Sequence, residues 1–144
     1  MAQGNAMLAK IENPNEELQR LLLMGQFMHC CCITAAHAKR FYQLKFRLSC
    51  CETRENAAQI LDSIEEILLA ERKNVETAME IVQYDSRLGW EASMEYTADV
   101  EDLTWKLRQL DYELTHTMVT ARKSNALGTE QEKNFKNAPI VIFH

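Results

Sequence analysis

Turn-forming residues are scarce in this chain of 144 residues, which contains four glycines and two prolines. Folds built from many short strands need frequent turns, and glycine and proline are the residues that most often form them. The scarcity therefore disfavours a multi-stranded fold and favours a few long elements. With 47% hydrophobic and 26% charged residues, the composition is that of an ordinary globular domain.

An excess of positive charge is also missing, because the formal net charge at pH 7 is −5. Proteins that bind nucleic acid usually carry a basic face that contacts the phosphates. The one local basic cluster, formed by Lys39, Arg40, Lys45 and Arg47, would spread around a helix and indicates a solvated surface. We therefore expect no nucleic-acid partner.

The cysteines lack the spacing of a disulfide scaffold or a zinc site. All five fall in two runs of adjacent residues, at 30–32 and 50–51, and adjacent residues on a helix point in different directions. Reduced thiols and the absence of a signal-like N-terminus predict a cytoplasmic protein. We expect no cofactor, and a metal-binding bundle that uses His29, Cys32 and His37 is the third alternative for function.

A recognisable catalytic arrangement is absent as well. Cys50, Cys51 and His116 are candidates for a nucleophile and a base, but the sequence offers no glycine-rich turn that would stabilise a developing charge. We therefore expect the chain itself not to be an enzyme.

The most apolar stretch runs from Leu21 to Ala38 and is interrupted by Gln26, His29 and Thr34. A helix that crosses a membrane needs about 20 predominantly apolar residues. We interpret this stretch as a buried central helix and expect no membrane association.

Helical periodicity organises most of the chain. Residues 13–123 are predicted to form a bundle of three helices at about 14–49, 54–84 and 97–123, between a lead-in at 1–12 and a polar tail at 124–144. Short connections favour neighbouring helices that run antiparallel, so we expect an all-α, up-down-up bundle.

Helix starts are marked by residues that can cap free backbone N–H groups. Asn13, followed by Pro14 and Glu16, is typical of a helix start in which Asn13 is the N-cap. Thr53 and Thr97 are the corresponding candidates for the second and third helices.

Apolar residues recur at helical spacing in each predicted helix. The second helix has one stripe: Ala57, Leu61, Ile64, Leu68, Val75, Ala78 and Val82. The third has another: Val100, Leu103, Leu107, Leu110, Leu114 and Met118. The first helix has two stripes: Leu18, Leu21, Gly25, Met28, Cys32, Ala35, Tyr42 and Phe46, and then Leu22, Ile33, Ala36 and Leu44. Two stripes predict that the first helix contacts neighbours on two sides.

The segment 85–96 breaks the helical period and is the candidate site. Five of its residues combine hydrogen-bonding groups with flat aromatic faces: Arg87, Trp90, Glu91, Glu95 and Tyr96. This combination is common at protein interfaces and on sugar-binding surfaces, which predicts a loop that faces a partner or a ligand. The alternative is structural, with the aromatic residues closing the end of the bundle and Asp85 or Glu91 pairing with Arg87.

Three segments carry a family resemblance: NPNEELQRLLLMGQF at 13–27, DSRLGWEASMEY at 85–96 and TWKLRQLDYEL at 104–114. They resemble the C-terminal helical region of large bacterial carbohydrate-active, glycoside-hydrolase-like proteins, over roughly residues 10–123. The resemblance implies a helical segment that packs against a catalytic barrel. Because 144 residues are too few to contain a barrel, it also implies that the chain is a detached C-terminal piece of such a protein, with a glycoside hydrolase as one candidate parent, or the product of a split or truncated reading frame.

These observations lead to two hypotheses for the function of the chain. The first is a non-catalytic helical accessory or packing domain of a carbohydrate-active bacterial protein, whose partner is the catalytic domain. The alternative is a stand-alone helical interaction module that homodimerises through the first helix. In both cases the expected partner is a protein.

Overall fold

Long helices account for most of the described chain. The computed structural model describes residues 4, 7, 10, 14–89 and 98–127. Its elements are α1 (Glu16–Ser49), α2 (Arg54–Tyr84), a 3-10 turn (Ser86–Gly89), α3 (Val100–Tyr112), a π-helical segment (Glu113–Thr117) and α4 (Met118–Leu127). The last three elements follow one another directly and form the third long helix. These residues include no strand, so the all-α prediction is confirmed, while the up-down-up order of directions stays a prediction.

Helix α1 is capped by Asn15, so the prediction of Asn13 as the N-cap is wrong. The side-chain oxygen of Asn15 accepts a hydrogen bond of 2.9 Å from the backbone N–H of Leu18. Its carbonyl accepts one, also of 2.9 Å, from the N–H of Gln19. Both asparagines carry a suitable oxygen, and sequence alone does not separate them.

The second and third helices are capped by Thr53 and Asp99. The hydroxyl of Thr53 accepts a hydrogen bond from the N–H of Asn56 at 3.3 Å, as predicted. The carboxylate of Asp99 accepts one from the N–H of Asp102 at 2.8 Å. Helix α3 therefore starts at Val100 instead of near 97, because an aspartate is at least as good a cap as a threonine. Thr97 lies outside the described residues.

The third helix also extends further than predicted. Helix α4 continues to Leu127, whereas the polar tail was expected from residue 124. Ser124 is 4% exposed, and the side-chain amide of Asn125 donates a hydrogen bond to the carbonyl of Arg54 at 3.2 Å. Polar side chains thus pack against the bundle at the end of this helix. The apolar stripe used to predict the helix does not include them, so its end was predicted too early.

The chain divides into two compact units. Unit 1 comprises Met1–Ala35 and Lys73–Leu107, and unit 2 comprises Ala36–Arg72 and Arg108–His144. The described apolar core of unit 1 consists of Cys30, Val75, Ala78, Ile81, Val82 and Leu103. Because these residues come from α1, α2 and α3, each of those helices contributes to the core of this unit.

Unit 2 has a larger described core and ion pairs on its surface. Its buried apolar residues are Phe41, Leu44, Leu48, Ala57, Ile60, Leu61, Ile64, Leu68, Leu110, Met118 and Ala121. Arg122 contacts the carboxylates of Asp62, at 2.7 Å, and Glu65. Arg72 contacts Asp111 at 2.8 Å. Partly exposed pairs of this kind contribute little to stability, so the apolar core holds the unit together.

The prediction that Leu21–Ala38 forms a buried central helix is wrong. The structure describes every residue of this stretch, and Cys30 is the one buried among them. Helix α1 instead buries a line of residues on one side: Cys30, Phe41, Leu44 and Leu48. Of the two predicted stripes, the one through Leu21 and Met28 is largely exposed. Because α1 is apolar on several sides, its composition does not specify which side faces the core.

Candidate functional site

Arg87 is held locally by Asp85. Its side chain donates hydrogen bonds of 2.7 Å and 2.5 Å to the two carboxylate oxygens, and its backbone N–H donates a third at 3.3 Å. These hydrogen bonds lower the pKa of Asp85 to about 2. The pairing predicted by the structural alternative is therefore present, and the guanidinium of Arg87 is already engaged.

The structure does not describe the other four residues of the predicted loop site. Trp90, Glu91, Glu95 and Tyr96 lie outside the described residues. The residues that flank them are close together, because a Cβ atom added to Gly89 would lie 2.7 Å from the carbonyl oxygen of Ala98. Gly89 and Ala98 therefore meet at a tight backbone contact that only glycine allows.

The three candidate metal ligands have separate surroundings. His29 is half-buried, Cys32 is exposed, and Nδ1 of His37 lies 2.7 Å from a carboxylate oxygen of Glu71. Within the described ranges, no group of three or more His, Cys, Asp or Glu side chains could hold a metal ion. The structure thus gives this trio no ligand geometry.

The thiols of Cys50 and Cys51 line an open depression of 610 Å³ at the turn between α1 and α2. Arg47, Thr53 and Asn56 also line it. Cys51 donates a hydrogen bond to the carbonyl of Thr53 at 3.3 Å. Among the described residues that form this depression there is no histidine, so these thiols are not next to the base proposed for them.

Sequence reasoning missed the π-helical segment in the third helix. His116 in this segment stacks on Tyr112 with 4.6 Å between the ring centroids, and its Nδ1 lies 2.8 Å from the hydroxyl of Thr115. Such segments are frequent at functional sites. The apolar stripe continues through Leu114 to Met118, so the sequence carries no sign of the inserted residue.

An exposed apolar strip on α1 lies on the described surface of unit 1. It consists of Leu21, Met24, Met28, Cys31 and Ala35, here called the α1 face. Leu21 is 58% exposed, Met24 43% and Met28 52%. Their spacing alternates between three and four residues, which places all five on one side of the helix.

The α1 face is also electrically neutral. The sequence from Leu21 to Ala38 contains no Asp, Glu, Lys or Arg. Partial burial raises the pKa of the Cys31 thiol and the neighbouring Cys32 raises it further, whereas the charge of Lys106 on α3, at the edge of this face, lowers it. A neutral apolar strip of this kind is a common feature of interaction surfaces.

Polar contacts attach other sides of α1 to the rest of unit 1. The side-chain amide of buried Asn74 donates to the carbonyl of Cys30 at 3.0 Å and to the hydroxyl of Thr34 at 3.1 Å. Lys106 donates to the same hydroxyl at 3.5 Å. These bonds fix the rotation of α1 and keep the α1 face directed outward.

Helix α1 is long and apolar enough to cross a membrane, judged by length and composition. Its most apolar window of 18 residues has a mean hydropathy of 1.4, and 11% of that window is buried. A helix that packs against another protein passes the same test, so composition does not identify what covers this surface.

Comparison with known proteins gave no match among family models, curated proteins or solved structures. The resemblance to carbohydrate-active proteins therefore stays a prediction.

Proposed function

We propose that the chain is a non-catalytic helical interaction module that pairs with a second copy of itself through the α1 face. The observation that supports this proposal is the exposure of Leu21, Met24 and Met28 on a strip without charge. Large apolar side chains rarely line one side of an exposed helix unless another surface covers them.

The spacing of the α1 face favours a helix as the covering surface. Leu21, Met24, Met28, Cys31 and Ala35 follow the alternating three- and four-residue steps of the a and d positions in a coiled coil. Residues on one side of any helix recur in these steps, so the spacing is compatible with a helical partner. A second copy supplies the same helix with the same spacing, so the two faces match in length and in periodicity.

The polar contacts of α1 argue against lipid as the covering surface. Thr34 accepts hydrogen bonds from Asn74 and Lys106, and His37 is hydrogen-bonded to Glu71. If α1 crossed a bilayer, these groups would lose their partners or enter the hydrocarbon with them, and either change is costly.

The pairing should be weak. Complete burial of a leucine or methionine side chain contributes about 1.5–3 kcal/mol, so covering the exposed parts of Leu21, Met24 and Met28 contributes about 3 kcal/mol per copy. Interfaces of this small size belong to transient complexes. The lost freedom of the two copies offsets part of the combined gain of about 6 kcal/mol, so we expect a dissociation constant toward the weak end of the range between about 10 µM and 1 mM.

Sedimentation equilibrium tests the proposal over that concentration range. We expect the natural sequence to shift from monomer to dimer with increasing concentration. Met28→Lys should remain monomeric, because pairing would bury an ammonium group in an apolar contact. Leu69→Lys is the matched control, since Leu69 on α2 is also 52% exposed, and this variant should dimerise normally.

Two results would contradict the proposal. One is a natural chain that stays monomeric at about 1 mM, the weak limit of the expected range; this is the result expected for an accessory domain whose α1 face is covered by a catalytic domain. The other is a loss of dimer in Leu69→Lys but not in Met28→Lys, which would assign the contact to α2.

A further inference from the structure

We infer that the two copies pair antiparallel, with Met28 of one α1 packed against Cys31 of the other and Met24 against Ala35. This inference rests on the proposed self-association. It adds the orientation and the register of the two helices.

Side-chain size falls along the α1 face, and large exposed residues return beyond it on the same side of α1, at Tyr42 and Phe46 in unit 2. The N-terminal positions are large, at Leu21, Met24 and Met28, and the C-terminal positions are small, at Cys31 and Ala35. A parallel pair would place large residues against large ones at one end and small against small at the other. Because Tyr42 and Phe46 lie beyond the small positions, large residues would then hold the helices apart on both sides of a gap at Cys31 and Ala35.

An antiparallel pair removes this mismatch. In the seven-residue repeat that starts at Leu21, antiparallel packing places the first position of one helix opposite the fourth position of the other. Met28 then meets Cys31, and Met24 meets Ala35, so each layer combines a large side chain with a small one. Layers of equal total size allow two straight helices to stay at a constant distance.

The charges at the two ends of the uncharged stretch favour the same orientation. Glu16 and Glu17 precede it and Lys39 and Arg40 follow it, all four on α1 and all exposed. Arg20 already pairs with Glu16 at 2.7 Å, which leaves Glu17 to attract a cation. Antiparallel helices bring the acidic end of one copy toward the basic end of the other, whereas parallel helices place like charges together.

Cross-linking between single cysteines tests the orientation. Each chain has its five natural cysteines replaced by alanine and carries one new cysteine, Met24→Cys or Ala35→Cys. A short bis-maleimide joins two thiols by adding each S–H across one of its C=C bonds, so no oxidant is needed. We expect cross-linked dimer in a mixture of the two chains, in about tenfold excess over either chain alone, because adjacent thiols have a high effective concentration.

Three outcomes separate this inference from the proposed function. Efficient cross-linking of Met24→Cys with itself means that the helices are parallel, which overturns the inference and leaves self-association intact. Dimers by sedimentation without any of these cross-links overturn the register. A natural chain that is monomeric, or that co-floats with phosphatidylcholine vesicles, overturns both. Sedimentation of the two single-cysteine chains verifies that the replacements themselves do not prevent pairing.

Discussion

The imidazole Nδ1 of His37 on α1 lies 2.7 Å from a carboxylate oxygen of Glu71 on α2. Glu71 is 3% exposed, which is unusual for a glutamate. A buried carboxylate is stable only when hydrogen bonds replace its water, and the histidine provides one of them. This pair therefore joins α1 to α2 within unit 2.

Replacing His37 by alanine should destabilise the protein by about 2 kcal/mol, because a buried carboxylate loses a hydrogen-bond partner. Urea denaturation of the natural and variant chains measures the change in the free energy of unfolding. His29→Ala is the control, since His29 is a half-buried histidine on the same helix. Equal losses in the two variants would mean that the contact with Glu71 contributes nothing specific.

Gly89→Ala should destabilise the end of the 3-10 turn. The new Cβ atom would lie 2.7 Å from the carbonyl oxygen and 3.0 Å from the carbonyl carbon of Ala98. Backbone atoms cannot move away as a flexible side chain can, so we expect a cost of about 1–3 kcal/mol. Thermal unfolding compares this variant with Ser86→Ala, which alters an exposed residue of the same turn. A melting temperature unchanged by Gly89→Ala would refute the close contact.

The carboxyl group of Asp85 should titrate with a pKa of about 2, because Arg87 hydrogen-bonds its ionised form. Since the pKa is lower in the folded chain than in the unfolded one, this pair stabilises the fold fully above pH about 4. That contribution is lost as the pH falls through about 2. Carbon-13 NMR of the side-chain carboxyl group measures the titration directly.

The variant Arg87→Gln provides the comparison for this titration. Without the guanidinium, the pKa of Asp85 should rise toward the ordinary value of 3.8. An identical titration curve in the two chains would show that Arg87 does not control this carboxylate.

Loss of the Asn15 cap should loosen the first turn of α1. Asn15→Ala removes the hydrogen bond to the N–H of Leu18 and should cost about 1 kcal/mol locally. Amide hydrogen exchange near the start of α1 should then accelerate about fivefold. Asn13→Ala is the comparison, and a larger acceleration in that variant would restore Asn13 as the cap.

Regular apolar spacing was sufficient to predict the core side of α2. All seven residues of its predicted stripe, from Ala57 to Val82, are buried. The opposite side of α2 is charged, so the sequence allows only one side of this helix to face the core. The start of α2 was predicted equally well, because Thr53 is the single capping residue proposed there.

The orientation of α1 could not be predicted in the same way. Between Leu21 and Ala38 no charged residue marks a solvent side, and two apolar stripes compete for the core. Which side of α1 faces the core depends on polar contacts with residues far along the chain. Examples are the contact of Asn74 with Thr34 and that of Glu71 with His37. Local patterns do not contain this information.

The sequence predicted a candidate site in the segment 85–96, whereas the site proposed from the structure lies on α1, for a related reason. Aromatic and charged residues in a short loop suggested a binding surface, but Arg87 is engaged by Asp85 and the other four candidates lie outside the described residues. The stretch from Leu21 to Ala38 had been assigned to the interior because it is apolar, although the first helix was also the predicted contact of a homodimer. Its exposure follows from the burial of Cys30, Phe41, Leu44 and Leu48 on the other side of the helix.

Methyl NMR of methionine during dilution tests the central claim most directly. Met24 and Met28 lie on the α1 face, while Met118 is 3% exposed in the core of unit 2. Between about 1 mM and 10 µM protein, we expect the ε-methyl signals of Met24 and Met28 to shift together along one binding curve, with Met118 unchanged. Signals of Met24 and Met28 that stay constant throughout the dilution would contradict pairing through the α1 face.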